Sequence, residues 1–224
     1  YLSKVVQYEQ QQAITSPLIG EKAWLKNVVH VVGASDANLQ AILDVNMNKY
    51  RDVISDTFYG GRVHSFSKTS VDPVEQSNSI RLQNLFQEGI GMVTYFGHSS
   101  ATTLEYNLDN PQAYNNAGKY PLFVLLGCNA GNFFTFNTGR LQSKETISEK
   151  YVLAQDRGGI ASVASTSLGI VHYLDIHNTG TYNAMAKTKY GNTLGEIMKE
   201  SIISTYNITT QNDPYSRMQC EQST

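Results

Sequence analysis

The feature that most strongly constrains the fold of this chain is a pair of apolar runs, each of which ends at a reactive side chain. Residues 91–96 lead through a glycine to His98, and residues 122–126 lead through a glycine to Cys128. A continuous apolar run is typical of a strand buried in a parallel sheet, and the residue beyond its carboxyl end lies in the crevice where α/β proteins bind ligands. We therefore predict that His98 and Cys128 lie side by side at one edge of such a sheet.

Further strands and helices alternate with these two runs. Apolar and β-branched segments predict two more strands, at residues 27–33 and 159–164, and a further strand is predicted at residues 62–67, entered through the Gly60-Gly61 turn. Helical patterns cover residues 2–12, 37–50, a segment starting at Ser77 or Asn78, 147–154, 178–187 and 193–204. This alternation predicts a parallel sheet with helices on both faces, and right-handed crossovers would make the strands before His98 and Cys128 neighbours.

The length of 224 residues suits one large α/β domain. We expect residues 1–20 to be a lead-in segment from a preceding domain or linker, and residues 21–224 to form the main domain. The chain begins without Met, and we expect residues 213–224 to end it without a closing element. Both features favour a piece of a longer chain that is truncated at its carboxyl end.

The charge distribution limits the kinds of partner that the protein is expected to bind. The 17 basic and 19 acidic residues give a formal net charge of −2 and form no blocks, so the sequence predicts neither nucleic acid nor an anionic membrane as a partner. No apolar run approaches the roughly 18 residues that cross a bilayer. No G-x-S-x-G motif is present, which argues against a serine hydrolase of the α/β-hydrolase type.

The chemistry depends on taking His98 and Cys128 together. A cysteine after an apolar run is more often an inert buried thiol than a nucleophile, and a histidine at a strand end is more often an ordinary polar residue. Facing one crevice, however, the two supply the minimum apparatus of a cysteine hydrolase, in which imidazole relays protons and thiolate attacks a carbonyl. We treat Cys128 and Cys220 as free thiols, because a disulfide would consume the proposed nucleophile.

Four stretches in order resemble the gingipain family of cysteine peptidases: residues 24–29, 89–98, 121–128 and 158–167. This family belongs to the caspase-like clan and includes the sortase of the bacterial type IX secretion system. The resemblance implies a caspase-like three-layer α/β/α sandwich with a mostly parallel sheet. It also makes residues 21–224 a gingipain-like catalytic domain.

The resemblance assigns roles residue by residue. It implies that His98 is the general base and acid, that Cys128 is the nucleophile, and that the backbone N–H groups of Ser99 and Cys128 hold the oxyanion. Ser99 departs from the family, which usually has glycine after this histidine. The substrate pocket would be built by Ser165, Thr166, Ser167 and Leu168, and since Leu168 stands where gingipains often have a bulkier aromatic, we do not assume specificity for Arg or Lys.

A third group that orients the imidazole stays open at this point. Asp56, Asp72 and Glu75 precede the His98 strand, and each also suits an ordinary turn or helix cap. His172, Asp175 and His177 lie close in sequence, but without a fourth ligand they predict no metal site. We expect no cofactor, although gingipains often carry structural calcium and the loop at residues 107–110 offers oxygen ligands.

The sequence thus predicts a cysteine endopeptidase, or a sortase-type transpeptidase, that cleaves peptide bonds through a thioester acyl-enzyme. Its partners would be a polypeptide substrate and other domains of the same chain, with no membrane-spanning segment. By resemblance, the location would be extracellular or the bacterial cell surface, reached through type IX secretion. The alternative is a catalytically silent domain of the same fold that serves as a binding or targeting module.

Overall fold

The computed structural model describes residues 1–16, 18–68, 76–135, 138, 141, 145–209 and 213–223. The strands are β1 Asn27–Gly33, β2 Arg62–Ser67, β3 Met92–Gly97, β4 Leu122–Leu126 and β5 Ala161–Ala164. The helices are α1 Leu2–Ala13, α2 Ile19–Lys22, α3 Ala37–Ile54, α4 Gln76–Glu88, α5 Ile147–Leu153, α6 Val171–Asn183, α7 Leu194–Ile208 and α8 Pro214–Gln222. A π-helical turn, Ala184–Thr188, continues α6.

The five strands form one parallel sheet in the order β2-β1-β3-β4-β5. The chain adds β2 on one side of β1 and then β3, β4 and β5 on the other side. Doubly wound sheets have their binding crevice at such a point, where the strand order reverses. The predicted adjacency of the strands before His98 and Cys128 is confirmed, because β3 and β4 are paired neighbours.

Side chains that alternate along the strands build a core on each face of the sheet. On one face Val29 and Val31 of β1 join the cluster that contains Phe86 of α4 and Tyr151 of α5. On the other face Val28 and Val32 join the cluster that contains residues of α3 and α6. This is the three-layer α/β/α sandwich expected from the sequence.

The first seven residues of α6 lie outside the predicted helix. The predicted helix begins at Asn178, whereas α6 begins at Val171. The buried face of α6 includes polar residues, His177, Asn178 and Thr181 among them, so apolar periodicity marks this helix poorly.

The expectation that residues 213–224 contain no closing element is wrong, because they contain α8. Asp213 caps this helix by accepting a hydrogen bond from the Tyr215 amide at 3.0 Å, and Pro214 occupies its first turn. Gln219 and Gln222 are buried against the rest of the domain. As in α6, the buried face of α8 is polar, so apolar periodicity does not predict this helix.

A buried lysine helps to attach the helix α1 to the domain. The Lys4 ammonium donates to the carbonyl oxygens of Tyr151, Val152, Ala154 and Arg157 at 2.7–3.2 Å, and so caps the end of α5. The assignment of residues 1–20 to a lead-in segment stays a prediction. None of the helices in the described ranges is long and apolar enough to cross a bilayer.

Candidate functional site

His98 and Cys128 come at corresponding positions after β3 and β4. The register pairs Phe96 with Leu126, so its continuation by two residues sets His98 opposite Cys128. The His98 amide donates to the carbonyl oxygen of Gly33 at 2.9 Å, which extends the pairing of β1 and β3 to the histidine. The His98 side chain is exposed and that of Cys128 is half-buried at the same edge of the sheet.

Glycines allow the strands to approach closely below these two residues. A Cβ on Gly97 would lie 2.2 Å from the Gly33 carbonyl oxygen, and a Cβ on Gly33 would lie 2.1 Å from the Tyr95 hydroxyl. A Cβ on Gly127 would lie 2.2 Å from the hydroxyl of Ser99. The small residues beside the reactive groups therefore serve close packing of the strand ends.

Ser99 joins the two strand ends through its side chain. Its hydroxyl donates to the carbonyl oxygen of Cys128 at 2.7 Å, so it is directed at the turn beyond β4. The backbone amides of Ser99 and Cys128 donate no hydrogen bond to any residue that the structure describes. Two backbone donors are thus left unused next to the thiol.

The turn that carries Cys128 is bonded to the loop after β5. Asn129 adopts φ = 58°, a left-handed conformation that asparagine tolerates better than most residues. The Asn129 amide donates to Ser167 O at 2.8 Å, and the Gly131 amide donates to Ser165 O at 3.0 Å. These bonds hold the segment of Ser165, Thr166, Ser167 and Leu168 beside the thiol.

The thiol itself contacts that loop. The Gly169 amide donates to Cys128 Sγ at 3.3 Å, and Sγ lies 3.8 Å from the Gly169 carbonyl oxygen. The sulfur is therefore held against the backbone of the loop after β5.

Helix α8 supports the loop from behind. Ser165 is buried, and the amide of Thr166 donates to Gln222 O at 2.9 Å. The Gln222 side-chain amide donates to Leu168 O at 2.8 Å. Ser167 and Leu168 are exposed on the crevice side of these contacts.

Of the three carboxylates considered as partners of His98, only Asp56 lies in a described range. Asp56 lies in the turn that enters the amino end of β2, and its carboxylate is 3.9 Å from the Lys187 ammonium. Since the strands are parallel, this position is at the opposite edge of the sheet from His98. Asp72 and Glu75 lie outside the described residues.

Glu105 is a carboxylate beside His98 that the sequence reasoning did not consider. Its amide donates to the carbonyl oxygen of His98 at 3.0 Å, and its Oε1 accepts hydrogen bonds from Ser35 and from Lys68. Glu105 follows His98 in the chain by a short reversal, whereas the candidates considered above all precede it. The serine and threonine run at residues 99–103 is the signal that could have marked that turn.

Of the three residues weighed as metal ligands, Asp175 is hydrogen-bonded and ion-paired within the protein. Asp175 forms an ion pair with Lys49 at 2.6 Å and accepts a hydrogen bond from Tyr50, while burial lowers the pKa of His177 to about 4. Within the described ranges, no group of three His, Cys, Asp or Glu side chains could hold a metal ion.

The loop at residues 107–110 does not fit calcium. The Asp109 carboxylate accepts from the Leu104 amide at 2.8 Å, the Leu108 carbonyl accepts from Tyr151, and the Asn110 side chain caps its own short turn. These oxygens are committed to protein donors, so they are not arranged around a cation.

Comparison with known proteins decides the family. The model of Peptidase family C25 matches residues 1–224. The chain belongs to peptidase family C25. This agrees with the resemblance to gingipain-like cysteine peptidases drawn from the sequence.

Solved structures place this C25 chain in the gingipain fold. The Arg-specific cysteine proteinase gingipain R is 16% identical with a TM-score of 0.67, over 97% of this chain and 50% of that one. The complex of the pro- and mature domains of RgpB from Porphyromonas gingivalis is 16% identical with a TM-score of 0.63, over 96% and 49%. A structure described only as a protease is 15% identical with a TM-score of 0.68, over 99% and 50%.

The C25 chain spans about half the length of these solved structures. At these identities the likeness is one of fold. No curated protein matches the chain.

Proposed function

We propose that this chain is a cysteine peptidase domain in which Cys128 is the nucleophile and His98 is the general base and acid. The observation that carries the proposal is the register of β3 and β4, which aligns the two residues at one edge of the sheet. An imidazole and a thiol on adjacent strand ends can exchange a proton across a bound carbonyl.

The reaction follows from these positions. His98 takes the thiol proton, the sulfur forms a bond to the peptide carbonyl carbon, and the oxyanion accepts hydrogen bonds from the unused amides of Ser99 and Cys128. The protonated His98 then gives its proton to the amine as the C–N bond breaks, leaving a thioester. The Gly169 amide contacts the sulfur and holds it in place before attack.

The loop of Ser165, Thr166, Ser167 and Leu168 would bind the residue before the cleaved bond. Its support is the pair of backbone hydrogen bonds that joins the loop to the turn after Cys128. The thioester is resolved by water in an endopeptidase and by an amine in a sortase-type transpeptidase. Adding glycinamide to a cleavage reaction distinguishes the two, because the transpeptidase transfers the acyl group to the amine and its product is heavier than the hydrolysis product by glycinamide less one water.

The test of the site uses a panel of peptidyl acyloxymethyl ketones that differ in the residue next to the warhead. Wild type, C128A, H98A and C220S are incubated with each probe and examined by intact mass spectrometry. Cys220 is the matched control, because it is buried and burial raises the pKa of its thiol.

We expect one adduct on wild type and C220S, a strongly reduced yield on H98A and none on C128A. An adduct that persists on C128A would contradict the site.

The thiol contact with Gly169 favours one second candidate, the catalytically silent binding module. In that case the sulfur is a structural hydrogen-bonding group in the loop rather than a nucleophile. Alkylation by iodoacetamide at pH 6 separates the candidates without a substrate. An activated thiol reacts faster than free cysteine, whereas a structural thiol reacts more slowly.

The location is part of the proposal. Family membership and the resemblance to exported gingipains support an extracellular or cell-surface protein that uses type IX secretion. Cell fractionation with an antibody against this domain, in a strain with and without a functional type IX system, tests it.

A further inference from the structure

The chain reverses direction immediately after His98 and brings Glu105 back beside it. The Ser100 amide donates to Thr103 O at 2.9 Å, and Ser99 and Leu104 form an antiparallel bridge. The Glu105 amide donates to His98 O at 3.0 Å. In such a pair, residues directly opposite point to the same face with their Cβ atoms about 5 Å apart. Glu105 and His98 are opposite each other in this register.

Tyr95 locks the two backbones together. Its buried hydroxyl accepts from the Glu105 amide at 3.0 Å and donates to the His98 carbonyl oxygen. One side chain from within β3 therefore fixes the relative position of the histidine and the glutamate.

Only one oxygen of the Glu105 carboxylate, Oε1, has partners among the described residues. Oε1 accepts from the Ser35 hydroxyl, which follows β1, and lies 3.5 Å from the Lys68 ammonium, which follows β2. Within the described ranges, Oε2 has no hydrogen bond. Partial burial opposes ionisation, but the Ser35 hydroxyl and the positive charge of Lys68 lower the pKa of Glu105. The group is therefore a carboxylate at neutral pH.

We propose that Glu105 is a positioning residue for His98: its free oxygen accepts a hydrogen bond from the ring nitrogen that faces away from Cys128. That bond would select the tautomer whose unprotonated nitrogen faces the thiol, and would stabilise the imidazolium formed during the reaction. Ser35 and Lys68 keep the carboxylate in place, so the ends of β1, β2, β3 and β4 each contribute one group. This inference rests on the proposed function.

The test compares E105Q, E105A and E105D with E200Q. Glu200 is a matched control, because it is a partly exposed glutamate beside a lysine, Lys189, at 3.8 Å. We expect E105Q and E105A to lower the rate of labelling by the acyloxymethyl ketone at least about tenfold, with partial recovery in E105D. E200Q should match the wild type.

A second readout does not depend on reactivity. Ring nitrogen NMR shifts of His98, recorded in the C128A background, report the tautomer. We expect one dominant tautomer when Glu105 is present and a mixed or reversed population in E105Q, where the carboxylate charge is lost. An unchanged tautomer in E105Q overturns the inference even if labelling is slower, because the loss is then structural.

Two milder variants keep the inference testable if E105Q and E105A fail to fold. S35A and K68M each remove one group that holds Oε1, and both should slow labelling several-fold and broaden the tautomer population. Labelling within twofold of wild type in both variants overturns the inference. If wild type is labelled at Cys128 but Glu105 has no effect, only the inference fails. If wild type is not labelled at all, the proposed function fails.

Discussion

The Ser99 hydroxyl donates to the carbonyl oxygen of Cys128 across 2.7 Å and occupies the space above Gly127. The segment after β3 is thereby bonded to the turn after β4. The hydroxyl is used within the protein, so the serine that replaces the usual glycine of the family is directed at the backbone beside it.

The first prediction concerns this contact. G127A places a Cβ 2.2 Å from Ser99 Oγ and 2.7 Å from Gly97 O, so we expect it to lower the free energy of unfolding by about 2 kcal/mol. The double variant S99G/G127A should recover only part of the loss, because the Gly97 carbonyl remains. Urea denaturation measures both values, and full recovery would show that the Gly97 clash costs nothing.

The second prediction concerns acid stability. Burial and the nearby charge of Arg51 lower the pKa of His30 to about 3, and its ring bonds to the Tyr182 hydroxyl at 2.8 Å. The unfolded state therefore takes up a proton below about pH 6.5 that the folded state refuses until about pH 3. Stability should fall through this window as the pH is lowered, by about 3 kcal/mol at pH 4 for this one group.

The pH dependence of unfolding in H30Q should be shallower than in wild type over this window. His172 is exposed, so H172Q serves as the control and should keep the wild-type slope. Equal slopes in H30Q and wild type would contradict the assignment.

The third prediction concerns the buried ammonium of Lys4. K4M removes the ammonium from four carbonyl oxygens, of which that of Tyr151 keeps the Gly159 amide as a donor, so we expect the free energy of unfolding to fall by about 3 kcal/mol. K199M changes an exposed lysine and should stay within about 0.5 kcal/mol of wild type. Thermal or urea unfolding makes the comparison, and equal effects of the two variants would mean that the cap is not needed.

The fourth prediction concerns specificity. Leu168 is 64% exposed beside the thiol, so L168D should add a negative charge to the crevice at little cost in stability. In a peptide library, we expect preference for Arg or Lys before the cleaved bond to rise about fivefold. Leu18 has the same exposure away from the site, and L18D should leave the preference unchanged. A change of equal size in both variants would exclude a role for Leu168.

Most of the sheet was predictable because its inner strands are short, apolar and bounded by turns. The segments at 27–33 and 122–126 coincide with β1 and β4, since buried parallel strands leave continuous apolar runs. The segment at 62–67 coincides with β2, an edge strand that follows the turn at Gly60 and is mostly not buried. The start of α6 and the whole of α8 could not be predicted in this way. Their packed faces contain His177, Asn178, Gln219 and Gln222, whose burial depends on partners that only the folded chain supplies.

The part of the candidate site that lies directly after the strands could be predicted from the sequence. His98 and Cys128 follow apolar runs, and parallel pairing alone brings such positions together. Glu105 could not be found from strand patterns, because its place depends on a reversal of the chain and on the Tyr95 hydroxyl. Ser35 and Lys68 reach it from strands far apart in sequence.

The ladder between β3 and β4 governs where the imidazole and the sulfur stand, whatever the length of chain that joins the two strands. Residues could be added to or removed from the exposed parts of that connection, and the numbering would change while the reactive atoms kept their places. Loop-length variation among related chains should accumulate there, and a module inserted at that point would lie beside the crevice without displacing His98 or Cys128.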